Sequence, residues 1–251
     1  MRIIISPAKK MKPNITSLDY KQLPQFIEES TQLLTFLKQL TYNEAKSIWQ
    51  CNDKIATLNY QRIQKMDLYT NLSPAILSYQ GIQYQYMASN VFTNEEYSYI
   101  ERHLRIMSGF YGMLRPFDGV VPYRLEMQAN LKGEALDSLY NFWNEKLAKQ
   151  LFSECKCIIN LASKEYSQCI SNYLDSRIQF ITCIFGERLG DKVLQKGTQV
   201  KMARGEMVRF MAENQITNIE AIKTFNRSNY IFAQDLSTAD TLVFIKKSVN
   251  K

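Results

Sequence analysis

Short apolar segments alternate with longer segments of helical periodicity along the whole chain, and this alternation most restricts the possible fold. Strand-like segments occupy Arg2–Ile5, Cys157–Leu161, 177–185 and Thr241–Lys246. Helix-like segments lie between them, without a long linker or an internal repeat. Mixed strands and helices in 251 residues predict an α/β (mixed α+β) fold, a single compact domain over 1–251 whose mixed β-sheet is flanked by helices.

Several helices can be placed from apolar spacing and capping signals. Helices are predicted over 24–40, 42–49, 53–64, 136–152 and 201–214, and a strand over 75–79. A capping box at Thr93 begins a further helix whose apolar stripe includes Leu104 and Met107. His103 lies beside that stripe, so we interpret it as a residue at the edge of the core.

Basic residues are concentrated at the two ends of the chain. The sequence has 31 Lys and Arg against 24 Asp and Glu, a net charge of +7. Residues 1–23 hold five basic and one acidic residue, and residues 188–251 hold 11 basic and six acidic. If the two ends meet in the fold, they form a basic surface suited to an anionic partner. The alternative is that both ends are simply solvated.

The remaining composition bears on metals, disulfides and membranes. Five cysteines at irregular spacing and a single histidine do not form a zinc pattern or a disulfide framework. No apolar run approaches the roughly 18 residues of a membrane span. We therefore expect no metal, no cofactor, no membrane partner and a cytoplasmic location with reduced thiols.

The segment 42–64 is similar to a helix-hairpin-helix element. This hairpin presents backbone N–H groups at the start of its second helix to a DNA phosphate. Gln50 and Asn52 occupy the usual glycine positions, and Lys54 follows them. An ordinary helical turn is the alternative, because Gln adopts the left-handed conformation less readily than Gly or Asn.

Polar residues near the strand ends and in one loop are candidates for a ligand site. Ser6 and Lys9 follow the first strand, which is typical of an anion-binding turn. The loop between 108 and 132 carries Arg115 and the segment from Tyr123 to Glu126, which either faces a ligand or orders the loop internally. Helical angles place Lys201 and Arg204 on the rim of the apolar side of their helix, and Arg209 on its outer face.

Five blocks in this order resemble the bacterial peroxide stress protein YaaA family. They are Ile-Ser-Pro-Ala-Lys ending at Lys9, Met-Ser-Gly-Phe-Tyr-Gly-Met-Leu-Arg-Pro-Phe-Asp ending at Asp118, Pro-Tyr-Arg-Leu-Glu-Met ending at Met127, Asn-Leu-Ala-Ser-Lys-Glu-Tyr ending at Tyr166, and Ala-Arg-Gly-Glu-Met ending at Met207. The resemblance covers essentially the whole chain. It implies one compact fold, a cytoplasmic protein that resists hydrogen peroxide, and DNA binding through a positively charged cleft with a helix-hairpin-helix element.

Two functions remain open from the sequence. The first is a non-catalytic protein of the peroxide stress response that binds double-stranded DNA mainly through phosphates in a basic cleft. Its contact residues would be Lys9, Gln50, Asn52, Lys54, Arg115, Arg124, Lys164, Lys201 and Arg204. The alternative is an enzyme acting on a small anionic or nucleotide-like substrate in a pocket around Ser6, Lys9, Arg124, Glu126 and Lys201. Its further pocket residues would be Tyr123, Ser163, Glu165 and Tyr166.

Overall fold

A mixed β-sheet runs through the centre of the protein. The computed structural model describes residues 1–13, 18–131, 136–190 and 192–247. The strands in the described part of the chain, not all of which belong to the central sheet, are β1 (Arg2–Ile5), β2 (Lys10–Met11), β3 (Ser73–Pro74), β4 (Tyr79–Gln80), β5 (Leu104–Ser108), β6 (Gly112–Leu114), β7 (Gly119–Val120), β8 (Cys157–Leu161), β9 (Gln179–Leu189), β10 (Lys192–Leu194), β11 (Tyr230–Phe232) and β12 (Thr241–Lys246).

The main sheet has the order β11-β12-β9-β8-β1-β5-β6, with β10 paired to β9. Strands β5, β1, β8, β9 and β12 are parallel, while β6, β10 and β11 are antiparallel additions. Strand β1 lies between β5 and β8 and is fully apolar from Ile3 to Ile5, each completely buried. A strand covered on both faces needs such a continuous apolar run, so the first strand predicted from the sequence is also the centre of the core.

Helices pack on this sheet. They are α1 (Ile27–Gln39), α2 (Tyr42–Trp49), α3 (Asp53–Lys65), α4 (Ala75–Ser78), α5 (Ile82–Met87), α6 (Asn94–His103), α7 (Leu139–Trp143), α8 (Lys146–Glu154), α9 (Lys164–Ser171), α10 (Gly197–Glu213) and α11 (Ile219–Ile222). Capping boxes at Thr41 and Thr93 begin α2 and α6 as predicted. The mixed α/β class predicted from the sequence is confirmed.

Three local predictions are wrong. The segment 75–79 is mostly the short helix α4, because a brief apolar run does not distinguish a buried helical turn from a strand. The helix begun at Thr93 ends at His103, and Leu104 and Met107 belong to β5. The single helix predicted over 136–152 is two helices, interrupted at Asn144 with φ 43°.

Helix α10 lies unusually close to α5, and the contact depends on Gly205. A Cβ atom built at Gly205 would lie 2.1 Å from the backbone oxygen of Gln83 in α5. Only a residue without a side chain permits this approach. The close packing fixes the position of Arg204, the preceding residue, relative to α5.

Among the helices in the described part of the chain, none has both the length and the apolar character needed to cross a lipid bilayer.

Gly205→Ala is therefore expected to lower the free energy of unfolding by about 3 kcal/mol, because the backbone of α5 must move to admit a methyl group. Gly197→Ala, at the start of the same helix with no atom within 4 Å of the new Cβ, should instead be neutral or slightly stabilising. Urea denaturation of both variants measures the difference. Equal stabilities would show that the α5–α10 contact does not constrain the fold.

Candidate functional site

Two adjoining cavities lie beyond the carboxyl ends of the central parallel strands. Strand β1 ends at Ile5 and β8 ends at Leu161, and these two residues are paired across the sheet. The chain leaves β1 for β5 on one side and later returns to β8 on the other side. The carboxyl ends of parallel strands at such a change of direction are a common place for ligand sites.

A pair of serines closes the gap between these two strand ends. The backbone N–H of Ser163 donates to Ser6 Oγ over 2.8 Å, and Ser6 Oγ donates to Ser163 Oγ over 3.2 Å. Ser163 is also the residue immediately before α9. The hydroxyl of Ser6 thus holds the start of α9 against the end of β1. Ser6 lines the inner cavity, and Ser163 lies where the two cavities adjoin.

The inner cavity has a volume of about 460 Å³. Its walls come from the turn after β1, the start of α5, the loop after β7, the start of α9 and the first half of α10. The lining residues are Ser6, Pro7, Ala8, Lys9, Lys10, Gln80, Gly81, Ile82, Gln83, Tyr84, Tyr123, Arg124, Leu125, Glu126, Ser163, Glu165, Tyr166, Lys201 and Arg204. Its volume lies within the roughly 300–1,000 Å³ range of small-ligand sites.

The outer cavity, of about 730 Å³, lies over β8, β9 and α9. It is lined by hydroxyl groups such as Ser167 and Thr182, by the aromatic ring of Phe180, and by the exposed Lys164. Ser163 and Arg204 are the residues that line both cavities. Arg204 therefore stands where the two cavities meet.

The acidic and basic groups of the inner cavity are only partly paired with one another. Glu126 Oε1 lies 3.1 Å from Arg124 Nη2 and 3.3 Å from Lys9 Nζ. Both contacts are ion pairs without hydrogen-bond alignment, since neither Glu126 Oε1 nor Arg124 Nε has a hydrogen-bond partner. Five basic residues and two acidic residues line this cavity, which therefore favours an anion.

Arg204 is a half-buried cation without a carboxylate partner among the described residues. Its Nε atom is inaccessible to solvent and has no hydrogen-bond partner, and no ion pair involves Arg204 among the described residues. Burial lowers the pKa of Arg204, although a guanidinium still keeps its proton. Taking a charge out of water without a partner costs free energy.

Unsatisfied polar atoms are concentrated at this cavity. Of the eight buried side-chain atoms without hydrogen-bond partners in the described part of the chain, four belong to its lining residues: Gln83 Nε2, Arg124 Nε, Glu126 Oε1 and Arg204 Nε. Buried polar groups are normally satisfied, so this concentration needs an explanation. Three of the four are donors, which suits a ligand rich in acceptor oxygens.

Burial also changes the acidity of the cavity wall. It raises the pKa of Glu165, and the negative charge of nearby Glu126 raises it further. Burial likewise raises the pKa of Tyr123 to about 12. The hydroxyl of Tyr123 forms hydrogen bonds with the hydroxyls of Ser108, over 2.6 Å, and of Tyr79, over 2.8 Å. The tyrosine wall is therefore neutral and rigidly held at the end of β5.

The structure brings together most of the residues predicted from the sequence. Ser6, Lys9, Tyr123, Arg124, Glu126, Ser163, Glu165, Tyr166, Lys201 and Arg204 all line the inner cavity, and Lys164 lines the outer one. The turn after β1 and the first half of α10 therefore meet at one cavity, which is the condition for the two basic ends of the chain to form one surface. Arg209, expected on the outer face of this helix, forms an ion pair with Glu213 over 2.7 Å.

Arg115 lies outside both cavities. Its guanidinium donates to the fully buried carboxylate of Asp118 over 2.9 Å and to the carbonyl of Leu23 over 3.2 Å. These bonds occupy its donors inside the loop. Of the two interpretations left open by the sequence, internal ordering of the loop is the one that matches these contacts.

The hairpin residues form two helices joined by a tight turn, also outside the cavities. Gln50 adopts the left-handed conformation, with φ 44° and ψ 54°, whereas Asn52 is extended. The Asn52 side chain accepts from the N–H of Ile55 over 3.0 Å, and the carboxylate of Asp53 lies 2.7 Å from Lys46 Nζ. The start of α3 thus already has an amide cap and a neighbouring negative charge.

Gln83, Tyr84 and Lys10 are site residues that were not predicted. The signal for Lys10 was its place beside Lys9 in the basic amino-terminal segment. Gln83 and Tyr84 lie in α5, whose sequence Ile-Gln-Tyr-Gln-Tyr-Met alternates glutamine with apolar or aromatic residues at a period of two. That pattern is typical of a strand, so helical spacing could not place these side chains.

Gln50→Gly should raise the free energy of unfolding by about 1 kcal/mol, because glycine adopts the left-handed conformation without steric cost. Asn52→Gly is the matched control: it removes a helix cap at an extended position and should lower stability by a few tenths of a kcal/mol, roughly. Thermal unfolding distinguishes them. Destabilisation by Gln50→Gly would contradict the left-handed turn.

Arg204→Met should leave stability unchanged or raise it by about 1 kcal/mol, because a desolvated charge without a partner is replaced by an apolar chain. Arg105→Met is the comparison, since buried Arg105 forms an ion pair with Glu154 and its loss should cost about 3 kcal/mol. Equilibrium denaturation measures both. A large loss for Arg204→Met would make Arg204 a structural residue rather than a ligand-binding one.

Comparison with known proteins places this geometry in a family. Residues 1–236 match the family described as peroxide stress protein YaaA. Relatives named UPF0246 protein include one from Lachnoclostridium phytofermentans, 54% identical over 250 residues that cover 100% of this chain and 98% of the relative. Others come from Pediococcus pentosaceus, 51% identical with both chains fully covered, and from Agathobacter rectalis, 51% identical over 98% and 99% of the two chains. With a family match from the first strand into the last quarter of the sequence and relatives alike from end to end, the chain belongs to the peroxide stress protein YaaA family.

Proposed function

We propose that this protein acts in the cytoplasm during peroxide stress and binds duplex DNA through phosphates at the cleft formed by the two cavities. The observation that carries the proposal is the convergence of cations from both ends of the sequence on one cleft. Lys9 and Lys10 follow β1, Lys201 and Arg204 lie on α10, and all four line the inner cavity. Family membership supports the stress-response part of the proposal.

The exposed lysines of this cleft suit phosphate contacts. Lys10, Lys164 and Lys201 are exposed and form no ion pair within the described residues, so their charges are free for a partner. Lys9 is 64% exposed at its side chain and is only weakly engaged by Glu126. Flexible, solvated lysines on a rim bind a backbone of phosphates without reading base edges.

The hairpin supports the proposal less strongly than the cleft. Lys54 is exposed, but the first turn of α3 is capped by Asn52 and carries Asp53. A carboxylate at this end of the helix competes with a phosphate for the same positive helix dipole. We therefore assign the main DNA contact to the cleft and a secondary one to Lys54.

An enzyme acting on a small anionic or nucleotide-like substrate is the second candidate. The inner cavity favours it, because its volume suits a small molecule and because Glu126 and Glu165 line it. A module that binds only the DNA backbone has no need of two carboxylates in its cleft. The two candidates differ in what must reach Arg204, a strand of DNA or a free molecule.

Lys201→Ala should weaken binding to labelled duplexes of unrelated sequence by a similar factor, and should flatten the slope of log K against log salt by about one unit. Lys54→Ala should have a smaller effect. Fluorescence anisotropy over a salt series provides the measurement. Lys223→Ala is the matched control, because Lys223 forms an ion pair with Glu220 and lines a different cavity.

Survival after hydrogen peroxide treatment connects this binding to stress. In a strain without the gene, the wild type and Lys223→Ala should restore survival, while Lys201→Ala should restore less. Unchanged DNA affinity in Lys201→Ala would remove the cleft from the DNA proposal and favour the small-substrate candidate instead.

A further inference from the structure

We propose that the inner cavity binds a phosphate monoester of nucleotide size, with its phosphate on Arg204 and its organic group inside the cavity. This names a ligand class for the second candidate function, and it does not depend on DNA binding. Four structural features carry the inference: the unpaired Arg204, the unsatisfied atoms of three other lining residues, the neutral tyrosine wall and the cavity volume.

The proposed phosphate position lies beside α10 and Ser163, where the two cavities adjoin. Arg204 presents a buried Nε donor with no partner, and Ser163 lines the same junction between the cavities. Lys201 precedes Arg204 by three residues, so both side chains lie on the same side of the helix. A guanidinium and an ammonium side by side match a phosphate monoester, which carries close to two negative charges at neutral pH.

Two further residues that line the inner cavity, Gln83 and Glu126, offer a donor and an acceptor. Gln83 is only 6% exposed, and its Nε2 atom has no partner. The carboxylate of Glu126, which lines the inner cavity alone, has an oxygen that accepts no hydrogen bond. Inorganic phosphate alone cannot satisfy such a set. A sugar hydroxyl or a base amino group donates to a carboxylate, and ring or carbonyl oxygens and nitrogens accept from an amide.

Part of the cavity wall is aromatic and largely shielded from solvent. Tyr84 and Tyr123 are 6% and 4% exposed, and the hydroxyl of Tyr84 donates to the carbonyl of Ser6 over 2.9 Å. Both hydroxyl groups are hydrogen-bonded to other groups of the protein, so these lining side chains are neutral and fixed in position. A flat base or a sugar ring packs well on such a surface.

The same phosphate chemistry has two possible sources. A free nucleotide would enter the cavity directly, whereas a DNA strand could offer its terminal 5′-phosphate and last nucleotide. An internal phosphodiester carries one negative charge, and therefore offers Arg204 and Lys201 less charge than a monoester does. Both sources are phosphate monoesters, and binding measurements distinguish them.

Isothermal titration at constant ionic strength tests the proposal with adenosine 5′-monophosphate, adenosine and inorganic phosphate as probes. The nucleotide should bind at least tenfold more tightly than either adenosine or phosphate alone. Arg204→Gln should weaken nucleotide binding by about 10- to 100-fold, as expected for the loss of charge-assisted hydrogen bonds. Arg209→Gln, the same change on the outer face of the same helix, should retain wild-type affinity.

A second measurement uses DNA ends. Duplexes with and without a 5′-phosphate are compared by anisotropy, and a gain from the phosphate that disappears in Arg204→Gln assigns the site to DNA termini. A free nucleotide that binds without any such gain assigns it to a small molecule. The proposal is overturned if wild-type protein shows neither effect, or if Arg204→Gln and Arg209→Gln behave alike. DNA binding dependent on Lys201 would then still stand.

Discussion

The hydrogen bonds between Ser6 and Ser163 are the interaction on which the candidate site depends. They join the end of β1 to the start of α9 at the point where the central strands finish. Strand β1 is paired with both β5 and β8, so the ends of all three strands lie near these two serines. At the end of β5, the hydroxyl of Ser108 is hydrogen-bonded to that of Tyr123, which also lines the inner cavity. Residues far apart in the sequence therefore reach one cavity because a single parallel core positions them.

Packing between α5 and α10 provides the second constraint. Gly205 lets the two helices approach until a side chain would not fit, and Arg204 is thereby held in the wall of the cavity. A rigid scaffold can keep a charge desolvated and unpaired, whereas a flexible one would let it turn to solvent. In the proposed complex, an anion bound to Arg204 would recover part of the free energy lost by desolvating this charge. Stability and ligand binding therefore oppose each other at this residue.

Much of the site could be predicted from the sequence because its residues follow recognisable strand ends or lie on a long helix. Ser6 and Lys9 follow an apolar strand, and helical angle alone directed Lys201 and Arg204 to one rim and Arg209 to the other face. Gln83 and Tyr84 could not be found, since the alternating sequence of α5 is that of a strand, whereas the segment is a helix packed against α10. Arg115 shows the opposite limit: its position in a polar loop is equally compatible with a ligand contact and with internal ordering, and only the structure shows that its Nε donates to the neighbouring buried carboxylate of Asp118.

Arg204, in the cleft beyond β1 and β8, is proposed to hold an anion. The most direct measurement is the NMR signal of the Arg204 side-chain Nε–H group, followed while adenosine 5′-monophosphate is added. A large downfield shift of this signal is expected, with saturation at one equivalent, as the unpaired N–H acquires a phosphate acceptor. An unchanged Arg204 signal, with shifts confined to the exposed lysines or to the hairpin around Lys54, would contradict the proposal.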